Sequence, residues 1–94
     1  MAVLQSGSIT TNSSTAAVSL GVAGQYYAGV SGTFGSGTIN VELSDNGGTT
    51  WIALGSPAIF TSAGWVAFQA PLNSQVRLTL TGATSPSITY FISA

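Results

Sequence analysis

Thr38-Ile39-Asn40-Val41-Glu42-Leu43-Ser44-Asp45-Asn46-Gly47-Gly48-Thr49-Thr50-Trp51 is the stretch that decides the fold. Its first half alternates, with Ile39, Val41 and Leu43 on one side and Thr38, Asn40, Glu42 and Ser44 on the other. Side chains along a strand point to opposite faces in turn, so this is a strand with one buried face. Asn46-Gly47 then marks a tight reversal, because both residue types tolerate positive φ, and Gly48 leaves room for a bulge or a longer loop. Trp51 opens the returning strand, where its ring is expected to cap the end of the core.

The same signature recurs on both sides of this hairpin. Thr15 to Leu20 places Ala16, Val18 and Leu20 on one face, and Gln25 to Thr33 sets Tyr26, Ala28 and Val30 against Tyr27, Gly29 and Ser31. Trp51 to Leu54 and Ala58 to Thr61 are short returns. Trp65 to Ala70 opposes Trp65 and Ala67 to Val66, Phe68 and Ala70. Gln75 to Thr81 turns Val76, Leu78 and Leu80 inward against Arg77 and Thr79, and Ile88 to Ser93 aligns Ile88, Tyr90 and Ile92. No stretch holds a helical period. About eight short strands at roughly ten-residue spacing predict an all-β, two-sheet antiparallel β-sandwich, either a jelly roll or Ig-like. Residues 15–94 are expected to form this single domain. Residues 1–14 alternate weakly and are expected as an N-terminal arm, whose Val3, Leu4 and Ile9 dock on a neighbouring subunit; an ordinary first strand is the alternative reading.

Charge is nearly absent. Among 94 residues only Glu42, Asp45 and Arg77 are charged, and there is no Lys, His or Cys, whereas an ordinary domain spends about a quarter of its residues on charge. Fourteen Ser and twelve Thr supply the polarity instead. One Arg cannot neutralise a run of phosphates, which excludes nucleic acid and anionic membrane surfaces as partners. No apolar run approaches the length that spans a bilayer, and the first residues lack the pattern of a secretory signal. The chain reads as soluble and made in the cytoplasm.

Catalysis has little to work with. Glu42 and Asp45, the only carboxylate side chains, are expected to face opposite ways and form no acid–base pair. Serine and threonine hydroxyls have neither His nor Lys to activate them. Transition metals lack His and Cys ligands, and calcium would find one carboxylate at Asp45 beside Asn46. Gly32-Thr33-Phe34-Gly35-Ser36-Gly37 is a turn with positive-φ positions, because it lacks the Lys and following helix of a phosphate loop. The chain is expected to be no enzyme and to carry no cofactor.

Ser44 to Trp51 resembles the Asp-box, Ser-x-Asp-x-Gly-x-Thr-Trp, with Ser44, Gly48, Thr50 and Trp51 in register and Asn46 where that motif has Asp. The resemblance implies a structural β-hairpin and no glycosidase. From about Gly32 onward the chain is similar to small β-sandwich structural proteins of tailed bacteriophage virions. The segments that carry this are Gly32-Thr33-Phe34, Thr38 to Trp51, Val76 to Gly82 and Ser87 to Ser93, and head decoration (cement) proteins are the nearest likeness. The resemblance implies a homo-oligomer, a trimer by analogy with capsid three-folds, that binds the major capsid protein on the virion surface and stabilises the assembled shell. A carbohydrate-binding module of a tail fibre or virion surface, and a tail or connector subunit, are the alternatives. The residues expected at an interface are Val3, Leu4, Ile9, Tyr27, Trp65, Arg77 and Phe91. For Tyr27, Trp65 and Phe91 a sugar platform is the rival to core or interface packing. For Arg77 a plain solvent-facing position is the rival to a partner contact, and Glu42 or Asp45 is expected within its reach for a salt bridge inside the chain or across a subunit boundary.

Overall fold

The computed structural model describes residues 3–56 and 58–94. Nine strands run β1 (Val3–Ile9), β2 (Val18–Leu20), β3 (Gly24–Thr33), β4 (Thr38–Ser44), β5 (Ile52–Ala53), β6 (Ile59–Phe60), β7 (Gly64–Ala70), β8 (Ser74–Thr81) and β9 (Ser87–Ser93). They form two antiparallel sheets packed against each other, as the alternation requires. Sheet A has the order β1-β9-β3-β7, and sheet B the order β2-β8-β4-β5, with β6 also paired to β4.

The pairings describe one long ribbon folded on itself. β1 pairs with β9, β2 with β8, β3 with β7, and β4 with β5 and β6, so the first half of the chain runs antiparallel to the second. Two further pairings, β3 with β9 and β4 with β8, roll that ribbon into two layers. This is jelly-roll order and not an Ig-like one. β5 and β6 act as a single interrupted edge strand. The break lies opposite Val41, whose N–H donates to the Ala58 carbonyl and whose carbonyl accepts from Leu54 N–H.

The core lies between the sheets. Sheet A contributes Ile9, Tyr26, Ala28, Val30, Val66, Phe68, Ala70, Ile88, Tyr90 and Ile92, and sheet B contributes Val18, Leu20, Ile39, Val41, Phe60, Val76, Leu78 and Leu80. Each is the apolar phase of an alternating strand, and burying such a side chain is worth about 1.5–3 kcal/mol. Trp51 is outside this cluster. It shares the phase of Ala53, opposite Glu42, so it lies over the outer surface of sheet B and does not cap the core.

Of the two readings of residues 1–14, the ordinary first strand describes β1. It pairs with β9 from Val3 to Ile9, with a register shift between Val3 and Gln5. Met1 and Ala2 of that segment lie outside the described residues. The chain after β1 is also tied down. Asn12 both donates to and accepts from the Ala83 backbone, Leu80 N–H donates to the Ser13 carbonyl, and Thr15 N–H donates to the Leu78 carbonyl. Two turns use glycine for backbone reasons. Gly35 and Ser36 both adopt positive φ, 58° and 65°, closed by Gly37 N–H onto the Phe34 carbonyl, the two-residue reversal that joins β3 to β4. In the hairpin after β4 the positive-φ pair is Gly47–Gly48, one residue later than expected from Asn46-Gly47.

Candidate interaction surfaces

The hairpin tip shows how far an incomplete motif still holds. The fully buried Ser44 hydroxyl accepts from Gly48 N–H at 2.9 Å and from Asn46 N–H, and donates to Asn46 Oδ1 at 2.9 Å. The same Oδ1 accepts from Thr50 N–H at 2.9 Å. The position needs an acceptor oxygen and no charge, so Asn replaces Asp with the loop intact. Asp45 beside it is exposed and enters no ion pair among the described residues.

From this tip the outer face of sheet B carries a network. Glu42 and Arg77 stand directly opposite on β4 and β8. Arg77 Nε donates to Glu42 Oε1 at 2.7 Å, and its guanidinium lies 4.3 Å from the Trp51 ring centroid. Thr79 Oγ1 also donates to Glu42 Oε1, at 2.6 Å, and is 2.9 Å from Ser14 Oγ. The pair is half-buried, at 27% and 18% side-chain exposure for Arg77 and Glu42. Both charged groups here have partners within the chain. Of the two carboxylates expected within reach of Arg77, Glu42 is the one it pairs with, inside the chain, and its guanidinium also has an aromatic face.

The outer face of sheet A is built otherwise. None of its four strands contains a charged residue. Tyr27, Trp65 and Phe91, each in the outward phase of its strand, all lie there. Register places Gly29 between Phe91 on β9 and Trp65 on β7. The Phe91 ring lies across Gly29, where a Cβ would fall 2.1 Å from Phe91 Cε1. A glycine in a strand interior marks such a close approach, and it was the one signal in the sequence for this seat. Trp65 is 67% exposed, and its ring centroid is 6.0 Å from that of Tyr27 at an interplanar angle of 53°. A shallow groove of about 420 Å³ runs along this face, lined among others by Trp65, Phe91, Ser6, Ser31 and Thr89.

The remaining interface candidates do not join this cluster. Val3 and Leu4 are exposed at the start of edge strand β1. Ile9 is buried opposite Ile88 in the core and is not available to a partner. Near Val3, Ser93 Oγ is buried with no hydrogen-bond partner among the described residues. On the inner side, Tyr90 donates its hydroxyl proton to Gln5 Oε1 at 2.8 Å, and burial pushes its pKa above the usual tyrosine value. No group of three His, Cys, Asp or Glu side chains is placed to hold a metal among the described residues. No protein-family model matches the chain, and no curated protein matches it either.

Proposed function

We propose that the protein is a non-enzymatic structural protein of a tailed-phage virion, which attaches to the assembled capsid as a decoration subunit through the outer face of sheet A. The observation that carries this reading is the contrast in charge. All three charged residues lie on sheet B or its hairpin, while the face with Tyr27, Trp65 and Phe91 carries none. A neutral surface can be covered by a protein partner without desolvating ions. Aromatic side chains are enriched where protein surfaces meet, and Trp and Tyr concentrate binding energy there. The similarity of residues from Gly32 onward to virion β-sandwich proteins supports the same reading. The mechanism is adhesive: each contact made across a seam between capsid subunits adds to the free energy needed to separate them.

Co-sedimentation with purified capsids that lack the protein tests this directly. The wild-type chain should bind at a saturating ratio and raise the temperature at which the shells open. Trp65→Ser should weaken binding by roughly tenfold or more, as expected for an interface anchor. Failure of the wild type to bind shells or to protect them would end the capsid reading.

One observation favours a second reading, a carbohydrate-binding module. The groove beside Trp65 is edged by hydroxyls of Ser6, Ser31 and Thr89, and an exposed indole flanked by hydroxyls suits the mixed apolar and polar faces of a neutral sugar ring. Glycan-array binding that Trp65→Ser abolishes, without capsid binding, would replace the first reading by the second.

A further inference from the structure

The sandwich has four outer edges, and they are not treated alike. β2 is three residues long. β5 and β6 are two residues each, split by the excursion opposite Val41. β1 is seven residues long but its register shifts between Val3 and Gln5. Short strands, interruptions and bulges are the devices that keep an edge from pairing with another chain. β7 has none of them. It runs seven residues, Gly64–Ala70, in unbroken register with β3, and contains no proline and no charge. Among the described residues no hydrogen bond joins it to any segment but β3. Alternate residues of β7 therefore direct their N–H and C=O groups outward from the sheet.

We propose that β7 pairs antiparallel with β7 of a second copy, across a two-fold axis at Ala67, joining two four-stranded sheets into one. Pleat parity selects this arrangement. Val66, Phe68 and Ala70 face the core and Trp65, Ala67 and Gln69 face outward, so an antiparallel mate that keeps faces matched must have its axis pass through a residue and not between two. Of the possible centres, Ala67 is the one that pairs all seven residues. It sets Val66 opposite Phe68 of the second copy, which continues the core, and Trp65 opposite Gln69, with the small Ala67 meeting itself on the axis. Only the residue on the axis meets its own copy, and like charges there would repel; that residue is Ala67, and β7 carries no charge anywhere along its length. A copy of the same chain is thus the occupant that both the backbone and the side chains fit. The contact is two-fold, so it yields a dimer and not the trimer implied by the virion resemblance. It stands whether or not the protein decorates a capsid.

Sedimentation equilibrium from low to high micromolar concentration, with Ala67→Lys and Ser8→Lys beside the wild type, tests the proposal. The wild type should be a dimer. Ala67→Lys should raise its dissociation constant by roughly tenfold or more, because like charges meet on the axis and must be desolvated there. Ser8→Lys, on the opposite edge at β1, should leave it unchanged. Hydrogen exchange of the wild type gives an independent readout that holds even if Ala67→Lys fails to fold: amide protection across β7 should rise with protein concentration, while β1 stays constant. A wild type that is monomeric throughout, a trimer, a dimer dispersed by Ser8→Lys, or β7 protection independent of concentration would each overturn the proposal.

Discussion

The two outer faces of the sandwich meet their surroundings in different ways. On sheet B, Glu42, Arg77, Thr79, Ser14 and Trp51 are connected to one another, so the charged groups present are already partnered within the chain. On sheet A there is no charge to satisfy, and the largest exposed side chain, Trp65, stays 67% exposed although it lies beside Tyr27. One face stabilises its own fold; the other leaves apolar area uncovered. A chain with three charged residues has placed two of them opposite each other on the same sheet, which leaves the second sheet free for contacts that would be penalised by a buried ion.

The difference breaks first at Arg77. Arg77→Ala removes a charged hydrogen bond to Glu42 and a stacked guanidinium worth about 0.5–1 kcal/mol on Trp51, and it leaves a half-buried carboxylate with Thr79 alone. The expected loss is about 2 kcal/mol in unfolding free energy by urea denaturation. A double-mutant cycle with Glu42→Gln should return a coupling of about 1 kcal/mol. A loss below about 0.5 kcal/mol, typical of a plain surface position, would mean that the network is loose and that the two faces do not differ in the way described.

Gly29→Ala makes a smaller break, on the other face. A methyl at this position would meet the Phe91 ring. The obstruction is a side chain and not backbone, so the ring can shift at the cost of its packing. About 1 kcal/mol is expected, with a changed near-UV dichroism signal. In a Phe91→Ala background the same substitution should cost much less, because the two residues share one contact. Equal costs in both backgrounds would show that Phe91 does not use Gly29 as its seat.

How much of this was legible in the sequence depends on what each strand buries. β4 was readable to the residue, and β3, β7, β8 and β9 to within one, because each fills its inward positions with apolar side chains. β1 looked like an arm because its inward positions are Gln5, Gly7 and Ile9, of which only Ile9 is apolar. Gln5 receives the Tyr90 hydroxyl and Gly7 lies against the Tyr90 ring, so a polar residue and a glycine occupy core-facing positions for a reason located on β9. Ala16 and Ala17 fall out of β2 because the register onto β8 shifts by one residue between the Ser14–Thr79 bridge and the Val18–Val76 pair, so three residues stand against two. Jelly roll against Ig-like order was beyond periodicity altogether, since it turns on the pairing of the first strand with the last. The faces of Tyr27, Trp65 and Phe91 followed from strand phase; that they form one surface followed only from register through Gly29.

The smallest expected effect is the sharpest check on the comparison. If the outer face of sheet A is a surface held for a partner, its most exposed side chain should contribute almost nothing to the fold. Trp65→Ser is best measured in the Ala67→Lys background at low protein concentration, where pairing between copies contributes least. Unfolding free energy should then change by no more than about 0.5 kcal/mol, the range of a substitution away from any core, cap or network. Arg77→Ala in the same background should keep its full cost, because the two sites lie on different sheets and share no partner. Were Trp65→Ser to cost as much as Arg77→Ala, Trp65 would be packed into its own domain through Tyr27, and the neutral face would be a second layer of the fold with no surface left to offer.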